Sequence, residues 1–197
     1  MASYSPDTQV ERTSDAERAY MGDSPALGLV RKTYGEGVAL SWLAGQLRNL
    51  AEFAGCREKL GPGQIRELAQ MMLDEYGHWK LTHFMLFFQK FKRGRFGRFY
   101  GSVDPITLFG ALGEFAAERA DEIDRYERLR ERAERETMAQ ATEAMMRRLR
   151  DEYEAKVPRD GSGTPLVGFG EYMGRGYSRL SKEALSALFG GVGGKTA

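Results

Sequence analysis

Residues 80–93 constrain the fold more than any other part of the chain. Leu81, Phe84, Met85, Leu86, Phe87, Phe88 and Phe91 leave almost no polar side before Gln89. A helix that is apolar nearly all round has no face to offer water, so it is expected at the centre, packed on more than one flank. Lys92 and Arg93 fall in its last turn, where cations complement the helix dipole, and Gly94 follows as the stop.

Helices able to cover it flank it in sequence. Residues 37–54 carry Trp42, Leu43, Leu47, Leu50, Ala51 and Ala54 on one stripe, with Gly55 placed to terminate it. After Gly61-Pro62-Gly63, a second amphipathic helix shows Ile65, Leu68, Ala69, Met72, Leu73 and Tyr76 on one face and stops at Gly77. Asp104-Pro105 is an N-cap carboxylate followed by proline at the first helical position, a strong start signal. From there no proline intervenes until Pro158, and Ile106, Phe109, Leu112, Phe115 and Ala116 are expected to pack on the core. Beyond Arg119 the apolar positions are too sparse for a strict coiled-coil heptad. Either a long helix running beyond the core or a break near Thr137 is expected there.

Residues 1–25 are polar, acidic and without periodicity, and read as a disordered N-terminus. Pro158 to Pro165 reads as a linker, and residues 158–197 as a flexible glycine-rich tail with one short helix over 178–189. No stretch reads as a strand. The expectation is an all-α protein: an irregular helical bundle over 26–157 with one long C-terminal helix and flexible tails.

With 29 basic and 28 acidic residues among 197, the net charge implies no particular partner. Its distribution is more informative. Between residues 78 and 101 stand Lys80, Lys90, Lys92, Arg93, Arg95 and Arg98 with no acidic residue at all. Five of these lie between 90 and 98, interleaved with Phe91, Phe96, Phe99 and Tyr100. Guanidinium groups can fork onto phosphates and aromatic faces can stack on unpaired bases. Lys90, Lys92, Arg93, Arg95, Phe96, Arg98, Phe99 and Tyr100 are therefore the candidate nucleic-acid contacts. The competing reading is structural: the cations end a helix, the glycines turn the chain, and an aromatic plugs the core.

Other candidate chemistry is weak. Gly194-Lys195-Thr196 matches the end of a phosphate loop, but Phe189 stands where its first glycine belongs. Gly94, Gly97 and Gly101 follow a helix and not a strand, so they form no dinucleotide fingerprint. His78 and His83 are five apart and share no helical face, which argues against a metal site. Single Cys56 has no disulfide partner and no neighbouring histidine. Leu185 to Phe189 resembles the end of peptides that bind the bacterial replicative sliding clamp, with Ala184 where their glutamine belongs. No catalytic constellation emerges; no enzyme activity and no cofactor are expected. The polar N-terminus and the absence of a long apolar run point to a cytoplasmic protein without membrane contact.

The central region resembles an uncharacterised family of small helical bacterial proteins carried by conjugative elements, plasmids and phages. The likeness spans roughly 29–119. It rests on Val30, Arg31, Tyr34 and Gly35, on Trp42-Leu43, and on Lys80-Leu81-Thr82 with Phe84, Leu86, Phe87 and Phe88. Phe91-Lys92, Gly94, Gly97, Phe99-Tyr100-Gly101 and Val103-Asp104-Pro105 complete it. The family brings no established activity, but its carriage on mobile elements joins with the basic aromatic loop over 90–101 to suggest a non-enzymatic accessory role in mobile-element or phage DNA replication or transfer, with nucleic acid or a replication or transfer protein contacted through that loop. The rival is a protein–protein adaptor or structural module acting through the long charged helix or the 178–189 segment, and the oligomeric state is left open. One observation separates them. Arg95 and Arg98 either converge with Lys90 or Lys92 on an exposed face, or pair with long-helix carboxylates such as Glu114 or Glu118.

Overall fold

A computed structural model describes residues 2–55, 60–97 and 104–174. Two 3-10 turns (Ala2–Tyr4 and Pro6–Thr8) lead into α1 (Gln9–Arg12), α2 (Ala16–Met21), α3 (Leu27–Tyr34), α4 (Glu36–Phe53), α5 (Pro62–Tyr76), α6 (Leu81–Lys92) and α7 (Pro105–Lys156). Among the described residues there is no strand, only isolated bridges joining Ala26 to Lys80 and Arg159 to Pro165. The protein is all-α. It divides into two compact units, residues 1–130 and 131–197.

In the first unit α6 is the centre, as its composition requires. Residues 81–89 and Phe91 are all buried. Trp79 joins Phe84 and Phe115 at ring-centroid distances of 5.4 and 5.5 Å, and Phe87 lies 5.7 Å from Phe115. These tilted and edge-on contacts are the favoured aromatic geometries. α4 and α5 bury the faces expected of them, including all six apolar positions named on α5. At the start of α7 the buried set is Leu108, Ala111, Leu112 and Phe115, whereas Ile106 is 82% exposed. The stripe is phased by Leu108; Ile106, in the first turn, falls outside it.

α3 is a helix where sequence shows only a short apolar cluster broken by glycines. Its entry is fixed by backbone: the Leu27 and Gly28 amides donate to the Trp79 and Gly77 carbonyls (2.8 and 2.6 Å), and the Leu81 amide donates to Pro25. Gly77 has to be glycine here, because a Cβ would stand 2.4 Å from the Leu73 carbonyl oxygen.

Residues 1–25 depart from the expected disorder. Gln9, Thr13, Ala19 and Tyr20 are buried. The cause is polar complementarity with α6. The Thr13 hydroxyl donates to Gln89 (2.6 Å), the Thr82 hydroxyl donates to the Ala19 carbonyl (2.8 Å), and Lys80 Nζ donates to the Gly22 carbonyl (2.8 Å). A polar segment that supplies partners to a buried helix needs no apolar periodicity of its own.

Within the second unit, α7 runs without a break at Thr137. Its Thr137 and Thr142 hydroxyls bond back to the Ala133 and Met138 carbonyls. The expected linker is an ordered turn: Asp160 Oδ1 accepts from the Ser162 and Thr164 amides, both at 2.9 Å. Tyr153 is buried against Phe169 and Tyr172 and donates its hydroxyl proton to the Val167 carbonyl at 2.7 Å. The expected helix at 178–189, the Leu185–Phe189 motif and Gly194-Lys195-Thr196 lie outside the described residues.

Candidate functional site

The basic run begins in the last turn of α6 and continues into the turn beyond it. Gly94 adopts φ 77°, letting the Arg95 amide reach back to the Lys90 carbonyl at 3.1 Å. That closure sends the side chains of the run in different directions.

Lys90 points inward. Its ammonium bonds Glu118 of α7, donates to the Tyr20 hydroxyl at 3.0 Å, and sits 5.6 Å from the Tyr20 and Phe115 ring centres. Burial opposes its charge, but the hydrogen bonds to Glu118 and Tyr20 outweigh burial and hold its pKa above the ordinary lysine value. Lys92 also turns inward, donating to Gln9 Oε1 at 2.7 Å and to Asn49, with its ammonium over Phe53. Its partners are neutral, so burial wins and its pKa falls below the ordinary value, against a weaker opposing pull from Asp7. Phe96 is a core plug, its ring 5.7 Å from Phe87 and 6.1 Å from Phe91.

Arg93 and Arg95 are the exposed members. Arg95 leans toward Glu118, Nε to Oε2 at 3.9 Å, with its side chain 64% exposed. Arg98, Phe99 and Tyr100 lie outside the described residues. Lys90 and Arg95 thus meet on one carboxylate of the long helix, Glu118.

A second polar cluster was not visible in sequence. His83, 1% exposed, makes its Nε2 contact with the Tyr20 carbonyl at 3.0 Å. Its Nδ1 accepts from Arg119 Nε at 2.9 Å and from the Lys80 amide at 3.3 Å. Two donors at Nδ1 fix the neutral tautomer with the proton on Nε2. Burial pushes the His83 pKa down to about 4; the Tyr20 carbonyl opposes this, and the Arg119 charge adds to it. Tyr20 in turn has a raised pKa, chiefly from burial. With both ring nitrogens occupied and the phenol held neutral, this cluster fastens three chain segments. Its members are 36 and 63 residues apart, so no local spacing could announce them.

Two surface features lie apart from these clusters. A cleft of about 550 Å³ between α4 and α5 is lined by Leu40, Ala44, Leu60 and Ile65 and by Arg48 and Arg66. On α7, every residue from 131 to 144 is exposed. Among the described residues, no three His, Cys, Asp or Glu side chains gather where they could hold a metal ion.

No curated protein and no solved structure matches this chain. The model of a family of unknown function, DUF6633, matches residues 59–158, which hold α5, α6 and the whole of α7, and the chain belongs to that family.

Proposed function

We propose that this protein is a non-enzymatic helical adaptor that holds a protein partner along the exposed part of α7. One observation carries the reading: residues 131–144 are helical yet exposed on every side, including Met138 at 49%. A helix polar all round is stabilised by its own ion pairs or by what it contacts. Glu131 with Arg135, Arg132 with Glu136 and Glu143 with Arg147 supply the former. Each is worth only ~0.2–0.5 kcal/mol, so a covering partner adds what the pairs do not. The family match running to residue 158 supports treating this stretch as part of the domain's business and not as a tail.

The test is affinity capture from the host with the full chain, comparing wild type with Met138→Glu plus Met145→Glu. The reading expects a defined protein retained by the first and lost from the second. Capture of nothing by a chain that is also monomeric, or equal capture by both, would sink it.

A second reading is contact with nucleic acid in mobile DNA. It is favoured by the exposed Arg93 and Arg95, by Arg98 three positions on in the sequence, and by the resemblance to mobile-element proteins. It has lost Lys90, Lys92 and Phe96 as free contacts, because each is engaged within the protein. Titration with single- and double-stranded nucleic acid at low salt decides it. Binding that falls steeply with salt, and falls again in Arg95→Ala plus Arg98→Ala, would support it; no low-salt binding would remove it.

A further inference from the structure

The exposed part of α7 carries a seam that reads differently in its middle and at its ends. Glu131, Arg135, Met138, Thr142, Met145, Leu149, Glu152 and Lys156 follow one another at alternating spacings of four and three. That is the period at which positions of a helix keep facing one neighbouring helix. The middle four are apolar or nearly so. The Thr142 hydroxyl is already bonded to the Met138 carbonyl at 2.8 Å, leaving its methyl group to the seam. Met138 is half exposed, and Met145 and Leu149 are partly exposed. The ends are charged, with the acid preceding the base at both.

We propose that the occupant of this seam is a second copy of the chain, its α7 lying antiparallel on the first. The proposal rests on the adaptor reading and names the partner. Antiparallel pairing about a two-fold axis between residues 143 and 144 sets Met138 against Leu149 of the other copy and Thr142 against Met145. The same register sets Arg135 against Glu152 and Glu131 against Lys156. All four levels are complementary, and symmetry makes each occur twice.

The alternatives are repelled. In a parallel pair Glu131, Arg135, Glu152 and Lys156 would each face its own equivalent. Sliding the antiparallel pair by one heptad places Glu131 on Leu149 and Arg135 on Met145. The inner flanks also fit: Ala139 meets Met146, 41% exposed in the single chain, and Ala141 meets the stem of Arg148, while the outer flank brings Arg132 beside the Tyr153 that Phe169 and Tyr172 cover. The intrahelical pairs Glu131–Arg135 and Glu152–Lys156 are kept, so each end of the seam becomes a four-charge cluster of alternating sign. The apolar middle spans under two heptads, which predicts a weak, salt-sensitive dimer.

Sedimentation velocity of the full chain from micromolar to near-millimolar concentration tests this. The expected result is a monomer–dimer equilibrium that weakens with salt. Arg135→Glu sets like charges at two symmetric contacts and raises the dissociation constant about tenfold. Adding Glu152→Arg in the same chain restores opposite charges at those contacts and returns the constant to near wild type. In a Cys56→Ser background, Met138→Cys mixed with Leu149→Cys forms a cross-chain disulfide in preference to Met138→Cys with itself. A monomer at every concentration, a dimer indifferent to Arg135→Glu, or preferential Met138→Cys self-coupling overturns the proposal. A strict monomer that still captures a host protein through Met138 and Met145 overturns the second copy alone. A monomer that captures nothing removes the adaptor reading with it.

Discussion

The neutral imidazole of His83 makes the fold sensitive to acid in a calculable way. In the folded chain its pKa is about 4, against 6.5 for the ordinary group, because burial disfavours the cation and Arg119 occupies the nitrogen that would be protonated. As pH falls through 6.5 the unfolded chain binds a proton that the folded chain refuses. Stability from this group is therefore full above about pH 6.5 and is lost progressively until pH nears 4. The limiting loss is ~3.4 kcal/mol, from about 2.5 units at 1.36 kcal/mol each. Between pH 7 and 4.5 the share is ~2.5 kcal/mol. Urea denaturation followed by fluorescence of Trp42 and Trp79 reads the difference, with His83→Gln as the reference. The variant is less stable at neutral pH, since it does not reproduce both bonds, but its stability changes less on acidification by that amount. Carboxylate titration affects both proteins and cancels in the comparison. Parallel pH profiles for the two would refute the account of His83 as a buried, neutral anchor.

Removal of residues 2–25 is expected to destabilise the protein by about 5 kcal/mol or more. It exposes the apolar surface that Ala19 and Tyr20 cover and removes the hydrogen bonds to Thr82, His83 and Gln89, each worth ~0.5–1.5 kcal/mol net. An unchanged urea midpoint would show that the segment does not dock. Phe115→Ala opens a cavity against Trp79, Phe87 and Phe96 and should cost ~3–5 kcal/mol by the same assay.

The helices were legible wherever burial has a period. α4, α5 and α6 were readable to within two residues at each end, because each presents a stripe or, in α6, a full circumference to the core. The Asp104 carboxylate that caps α7 was readable too, and it does accept from the Thr107 amide at 2.9 Å. What escaped was held by long-range polar contacts. α3 depends on backbone bonds from Leu27 and Gly28 to residues fifty positions away, and the N-terminal segment depends on hydroxyls and carbonyls meeting α6. Such pairing leaves no periodicity. The basic run was legible as charge but not as direction, since the sequence does not tell that Lys90 turns to Glu118 while Arg93 faces outward.

That difference in direction decides where function is to be sought. α6 is buried on all sides, so its polar groups, Thr82, His83, Gln89 and Lys90, would each cost free energy without partners. Each has one: the Ala19 carbonyl, the Tyr20 carbonyl, the Thr13 hydroxyl and the Tyr20 hydroxyl with Glu118. Among the described residues no buried side-chain nitrogen or oxygen is left unmatched. Their pairing holds the N-terminal segment, α6 and the start of α7 together. Recognition falls to groups that cost nothing to leave in water until a partner arrives. On α7 those groups are ordered so that an identical helix, reversed, answers them one by one, and that ordering separates the seam from a merely solvated face.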